Sequence, residues 1–345
     1  MVQSIEIKGS SGTSKIQVGE CFKHLEAYLP AGQVILLTDS IVRRYYPKEF
    51  ETEAVIEIGT GEKIKDLETV RFIYERLVEL EADRSSFLVG LGGGIVCDLT
   101  GFAASTYMRG ISFGLVPTTL LAQVDAGVGG KNGVNFSGYK NMIGTFNQPG
   151  FVLCDPHFLK TLPPREISCG LAEIVKAAAI DDRDLFSFLE ENVQPALQLN
   201  PQVMETLVSR SLSIKAGFVT RDEREKGERR KLNFGHTLGH ALEKVTGLSH
   251  GEAISLGMVL AAELSVKKGC LSELEADRLK ALLQRFGLPV RLSFSIDKIT
   301  AALRMDKKRN GKTLHFVFLK GIGSCIVEEI DLGELERLVG EIIVA

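Results

Sequence analysis

The rhythm of apolar and polar positions changes midway along the chain. In the first half, short apolar runs alternate with amphipathic ones. SIEIKG and SKIQV read as short strands, QVILLTD (33–39) as an apolar strand ending in an acid, and AVIEIG (54–59) as another. DLETVRFIYERLVELEA (66–82) sets Leu67, Val70, Ile73, Leu77 and Leu80 on one side of a helix. SFLVGLGGG (86–94) is a strand running into glycines, with a helix expected from about Ile95. ISFGLVP (111–117) is a further strand, TTLLAQVDAGV reads as helical, and FVLCDP closes the half as a strand. Strand and helix in turn predict a parallel α/β sheet with crossover connections.

From about residue 160 the spacing becomes that of long helices, expected at 165–180, 201–222, 232–247, 252–268 and 272–287. LHFVFL and SCIVEEI (314–330) read as a late hairpin. Residues 129–150, GGKNGVNFSGYKNMIGTFNQPG, are rich in Gly and Asn and are expected to form a long functional loop. The pattern predicts two domains with a cleft between them. The first, 1–160, is a Rossmann-like parallel α/β nucleotide-binding domain; the second, 161–345, is mainly helical and holds metal and substrate.

Composition narrows the partners. The 345 residues are 44% hydrophobic and 25% charged, as in soluble globular proteins. Forty-one basic against 44 acidic residues leave a net charge of −3, so no global basic field exists to hold nucleic acid. The cysteines, Cys21, Cys97, Cys154, Cys169, Cys270 and Cys325, form no C-x-x-C pair, which predicts reduced thiols in a cytosolic protein. MVQSIEIKGSSG lacks the apolar core of a signal peptide, and no apolar run reaches about 18 residues. A cytoplasmic location without membrane or nucleic-acid partners is expected.

Gly92-Gly93-Gly94, between a strand and a helix, is an arrangement that binds phosphate. Glycines let a ligand approach the backbone, and the helix start offers free N–H groups. The spacing is not G-x-G-x-x-G: counted from Gly90 the last position is Ile95, and from Gly92 it is Cys97. A packing role for the glycines is equally compatible. Asp39, at a strand end, suits a ribose hydroxyl or a helix cap, and the residues leave both open.

His236 and His240 sit four apart in NFGHTLGHALE, on one face if the stretch is helical. His250 follows in SHGEAISLGM, and Glu173 in GLAEIVKAAA can add a carboxylate. Three such ligands and an open position make a catalytic zinc site. The alternative for any single histidine is a cap or a helix interface; the trio near glycines favours a site. H-x-x-x-H as a protease-type ligand pair lacks the intervening Glu, because Thr-Leu-Gly stands there. Lys131, Lys140, Lys176, Lys215, Arg229, Lys307 and Lys308 are surface charges by default, and an anion pocket if they converge.

GLGGGIVCDLTGFAASTYMRG, VPTTLLAQVDAGVGGK, KNMIG, TLPPREISCGLAEIVK, LNFGHTLGHA, HGEA and DKK occur in that order between about Asp39 and Lys312. As a set they resemble the 3-dehydroquinate synthase family. The resemblance implies a cytoplasmic homodimer that uses NAD and one divalent metal, zinc or cobalt, on a sugar phosphate. The implied reaction converts 3-deoxy-D-arabino-heptulosonate 7-phosphate to 3-dehydroquinate and phosphate, in the shikimate pathway to aromatic amino acids. It runs through transient oxidation by NAD, phosphate elimination, reduction, ring opening and aldol closure.

The resemblance puts the metal on Glu173, His236 and His250, and turns His240 toward substrate and phosphate. Lys131, Asn141 and Lys308 join His240 around the phosphate, with Arg109 reaching in from a second subunit. Arg229 and Lys215 take the carboxylate; Asp125, Lys176 and Asn233 line the reacting ring. NAD falls to Asp39, Glu62, Lys65, Gly93, Gly94, Asp98, Thr118, Thr119, Asp125, Lys140, Thr161 and Glu166. This chain departs from the family pattern at Asn132, Tyr139 and Glu228, and ALEKVTGLS between His240 and His250 is short; no residue assigned to chemistry is lost.

Three rivals remain. Sister sugar-phosphate cyclases, such as 2-deoxy-scyllo-inosose synthase, act on substrates without a carboxylate, against which Arg229 and Asn233 speak. A metal-dependent NAD alcohol dehydrogenase would release NADH. A non-catalytic nucleotide- or metal-binding protein would not need the full set of Lys131, Glu173, Lys176, His236, His240 and His250.

Overall fold

The structure, a computed structural model, describes residues 2–50, 54–291 and 313–344. Lys307 and Lys308 lie outside the described residues. Two compact units emerge: Met1–Pro163 with Met204–Arg224, and Pro164–Val203 with Glu225–Ala345. The first unit thus takes in a helical segment from the second half of the chain. That segment is tied down locally, as Ser209 bonds Gln3 and Lys215 bonds Asp125.

A seven-stranded sheet organises the first unit. Its strands are β1 (Gln3–Gly9), β2 (Gly12–Val18), β3 (Val34–Asp39), β4 (Val55–Ile58), β5 (Phe87–Gly92), β6 (Ser112–Pro117) and β9 (Phe151–Cys154), in the order β1-β2-β9-β6-β5-β3-β4. Only the β1–β2 hairpin is antiparallel. All six residues of β5 are buried, as a central parallel strand covered on both faces requires. On α2 (Leu67–Glu79) the predicted Val70, Ile73 and Leu77 are the buried positions, and Asp66 caps the helix by accepting from Thr69 N–H at 2.9 Å.

From β3 the chain moves outward to β4; from β5 it moves the other way to β6. The strand order therefore reverses between β3 and β5. In open α/β sheets, ligands settle beyond the carboxyl ends of the strands at such a point. Asp39 ends β3 there, and Gly92 ends β5.

Residues 129–150 are not the loop expected from composition. They fold as a hairpin of β7 (Lys131–Phe136) and β8 (Tyr139–Phe146), pairing Lys131 with Phe146 and Val134 with Ile143. Gly133 faces Gly144, and a Cβ on Gly144 would lie 2.5 Å from the Asn132 carbonyl oxygen. Glycine here serves close strand approach, not a flexible loop. TTLLAQVDAGV contains a single π-helical turn, Ala122–Ala126.

The second unit is mainly helical. It contains α4 (Pro164–Asp181), α8 (His236–Thr246), α9 (His250–Lys267), α10 (Glu273–Arg285) and the hairpin β10 (Thr313–Gly321)–β11 (Ser324–Asp331). The helix expected over 232–247 is broken. Residues 228–233 form a 3-10 helix, Gly235 adopts φ 76°, and α8 begins at His236. The left-handed turn needs glycine, and a Cβ on Gly235 would also lie 2.6 Å from Met258 Cγ. Gly239 and Gly257 let α8 and α9 touch backbone to backbone, and a Cβ on Gly251 would lie 2.8 Å from Cys169 Cβ on α4. Close packing of these three helices is what brings their polar side chains together.

Candidate functional site

In the first unit, α3 (Gly94–Thr106) starts directly after Gly93. The N–H groups of its first turn have no acceptor within the helix, and the positive end of the helix dipole lies there. Thr118 N–H donates to Gly92 O at 2.9 Å, which locks the end of β6 beside this turn. Cβ atoms on Gly93 and Gly94 would lie 3.2 Å from Thr119 Cγ2 and 3.0 Å from Ala126 Cβ. The bare backbone thus lines a cradle at the strand ends, with Thr118 and Thr119 on its flank.

A polar cluster stands beside it. Buried Lys65 pairs with Asp98 and donates to Asn141 Oδ1 at 2.6 Å. Burial raises the Asp98 carboxyl to about 6, against the pull of Lys65. Glu62 accepts from Asn135 Nδ2 at 2.8 Å and lies 3.9 Å from Lys140 Nζ. Glu62, Lys65, Asp98, Lys140 and Asn141 are therefore one constellation, to which the hairpin that composition had suggested as loop contributes Lys140 and Asn141.

Asp39 accepts from Ile41 and Val42 N–H, both at 2.9 Å, and so caps the short helix that follows. A carboxylate keeps acceptor capacity beyond these two bonds. Asp125 pairs with Lys215, which also donates to the Asp125 carbonyl at 2.7 Å. Thr161 Oγ1 lies 2.8 Å from the Tyr46 hydroxyl. Arg109 is exposed on a turn with φ 71°, and Lys131 is exposed at the start of β7.

The second unit gathers the histidines. Glu173 Oε1 lies 3.3 Å from His250 Nε2 and 3.6 Å from His236 Nε2. One donor atom from each of the three residues lies within 4.8 Å of the others. Each of the three has a polar neighbour behind it. Glu173 Oε2 lies 2.5 Å from Lys176 Nζ, His236 Nδ1 lies 3.2 Å from Phe234 O, and His250 Nδ1 lies 3.7 Å from Glu243 Oε2.

Electrostatics suit a cation. Burial pushes the Glu173 carboxyl up, but Lys176, His236 and His250 outweigh it and hold the group well below the usual carboxylate range. Burial first, then the Lys176 charge, holds His236 well below its ordinary value, so the ring is neutral and offers a lone pair. Burial alone would lower His250; Glu173 and Glu243 override it and raise the ring to about 10. A divalent ion would displace that proton on binding. One ionised carboxylate and two imidazoles, buried and oriented, fit such an ion.

His240 is exposed on α8, its ring centre 5.1 Å from that of His236 and 6.1 Å from that of His250. It stands beside the Glu173–His236–His250 group without belonging to it. Arg229 is buried in the 3-10 helix, and Asn233 Nδ2 donates to Glu225 Oε1 at 2.5 Å. Glu166 lies in the first turn of α4. The sequence reading missed Glu225 and Glu243. Glu243 had a signal, being seven residues after His236 and so on the same helix face. Glu225, at φ 56°, had none.

Fold and site together define a chain of the sugar-phosphate cyclase class. Residues 55–169 match the N-terminal 3-dehydroquinate synthase family, and residues 170–309 the C-terminal one. The chain is 43% identical over 336 residues to a 3-dehydroquinate synthase of Acetivibrio thermocellus, covering 93% of this chain and 92% of that one. It belongs to the 3-dehydroquinate synthase family, and it is an enzyme.

Two solved structures are similar over nearly the whole chain. One is 2-deoxy-scyllo-inosose synthase complexed with carbaglucose-6-phosphate, NAD+ and Co2+, at TM-score 0.87 and 29% identity, covering 98% of this chain and 100% of that one. The other is ValA, a 2-epi-5-epi-valiolone synthase from Streptomyces hygroscopicus subsp. jinggangensis 5008 with NAD+ and Zn2+ bound, at TM-score 0.84 and 29% identity, covering 98% and 99%. No described helix is long and apolar enough to cross a membrane.

Proposed function

We propose that the chain converts 3-deoxy-D-arabino-heptulosonate 7-phosphate to 3-dehydroquinate and phosphate, using NAD and one divalent cation. The observation that carries the reading is the convergence of Glu173, His236 and His250, in a chain that matches both 3-dehydroquinate synthase family models. When bound, NAD takes up and returns a hydride, and the cation polarises the hydroxyl being oxidised. Zinc suits two imidazoles, one carboxylate and an open position, and cobalt accepts the same donors.

The side chains divide the remaining work. Arg229, buried and planar, offers a bidentate fork to the substrate carboxylate, with Lys215 as second cation. Lys131, Asn141, His240 and Lys308, with Arg109 from a second subunit, take the phosphate. Their donors and positive charge stabilise the anion that leaves. Asp125, Lys176 and Asn233 orient the ring. Asp39, Glu62, Lys65, Asp98, Lys140, Thr161 and Glu166 hold the nucleotide, while the Gly93–Gly94 turn and Thr118–Thr119 receive its pyrophosphate. The family resemblance supports a cytoplasmic homodimer, in which Arg109 would serve the neighbouring site.

The test compares phosphate release from the heptulosonate phosphate, glucose 6-phosphate and sedoheptulose 7-phosphate. Release from the first alone is expected. Preference for either of the others would reassign the chain to a sister cyclase.

A further inference from the structure

Glu243 has no part in the assignments above, yet it completes a pattern around the metal ligands. His236 turns Nε2 to Glu173 and has its Nδ1 3.2 Å from the Phe234 carbonyl. His250 also turns Nε2 to Glu173, at 3.3 Å, and its Nδ1 lies 3.7 Å from Glu243 Oε2. Both rings therefore present the same nitrogen inward and back the other against an acceptor. Glu243 is largely buried, with 13% of its side chain exposed, two turns along α8 from His236. His250 begins α9, after the short turn that closes with Gly247 in the left-handed conformation at φ 70°. No packed turn of its own helix precedes the ring, so its orientation depends on neighbours.

We propose that Glu243 is the positioning residue for His250: its carboxylate accepts from Nδ1–H, fixes the tautomer that leaves the Nε2 lone pair free, and aims that lone pair at the cation. A carboxylate behind a ligating imidazole also raises its basicity, and losing such a partner costs roughly 10- to 100-fold in metal affinity. The proposal rests on the metal reading of Glu173, His236 and His250.

The experiment measures Co2+ affinity of the metal-free protein, the cobalt absorption spectrum, NAD affinity and the melting temperature in chelator. Four forms are compared: wild type, Glu243→Gln, Glu243→Asp and His236→Ala. Glu243→Gln is expected to weaken Co2+ binding roughly 10- to 100-fold and shift the cobalt bands. NAD affinity should stay at wild type, the metal-free melting temperature should fall only by the worth of the lost Glu243–His250 pair, and Glu243→Asp should recover part of the affinity. His236→Ala should bind no cobalt. If it does bind cobalt normally, the metal reading itself fails. If it loses cobalt while Glu243→Gln keeps wild-type affinity, only the role of Glu243 is overturned. A Glu243→Gln protein that melts early without metal and loses NAD equally would also overturn it, as would loss of one of two bound cobalt equivalents, which would make Glu243 a ligand of a second ion.

Discussion

Lys176 Nζ lies 2.5 Å from Glu173 Oε2, one turn away on α4, and both side chains are buried. The pair is held inside the helical unit, where an unmatched charge is costly. Lys176→Met takes one of two cations from Glu173, leaving it the protonated His250 ring beside the neutral His236. Without metal the loss should be about 3–5 kcal/mol. A bound divalent ion replaces the missing positive charge, so saturating zinc should recover much of it. Thermal melts of the variant with chelator and with zinc check this; an equal loss in both would contradict it.

On the proposed reading, His236→Ala removes one of the three metal ligands. Metal and phosphate-releasing activity should vanish together, while NAD affinity stays near wild type. Metal analysis of the purified variant decides: one ion per chain retained would exclude His236 as a ligand.

Arg229 is 3% exposed, so its guanidinium has little water to replace a lost partner. Arg229→Lys keeps the charge and loses the planar fork. A fall of about 1.5–3 kcal/mol in transition-state binding is expected, roughly 10- to 100-fold in kcat/KM. Steady-state kinetics on the heptulosonate phosphate measure it, and an unchanged constant would remove Arg229 from the carboxylate.

What the sequence disclosed, and where it fell short, follows from the range of the interactions involved. Val70, Ile73 and Leu77 announce α2 because a helix repeats within the chain segment itself. The choice between His236 and His240 is different. Both lie on one face of α8, and spacing cannot separate them. What separates them is Glu173 on α4 and His250 on α9, contacts set by glycines at helix crossings. The family resemblance selected His236 and His250 where periodicity left them open, and the structure brings these two, not His240, around Glu173. The β7–β8 hairpin was hidden because Gly133 pairs with Gly144, β8 is largely exposed and the buried run of β7 is Asn132, Gly133 and Val134, so no alternation of apolar residues marks it.

The start of α9 carries a pH-dependent lock beside His250. Glu252 accepts from Arg165 Nε at 3.0 Å and Nη2 at 2.5 Å, and from the Ser249 N–H and hydroxyl at 2.9 and 2.7 Å. The Arg165 bonds come first in lowering its carboxyl to about 2, against burial and with help from Ser249. A depressed folded value means stability that is present above about 4.5 and lost as pH falls toward 2. Glu252→Gln should cost about 1 kcal/mol at pH 7, the ordinary worth of a helix cap. The gap to wild type should close between about pH 4.5 and 2. Denaturant unfolding across that range measures it; a gap that stays constant with pH would rule out the ionised carboxylate as its source.

X-ray absorption at the zinc edge of the loaded enzyme is the most direct measurement on the metal centre. Expected is one zinc per chain, bound by two imidazole nitrogens and a carboxylate oxygen at about 2.0–2.2 Å, with a further light-atom ligand at the open position. The imidazole signal should fall to one ring in whatever zinc remains bound to His250→Ala, and be unchanged in His240→Ala. A site with three imidazoles, with sulfur, or with no change on losing His250 would contradict the Glu173–His236–His250 centre.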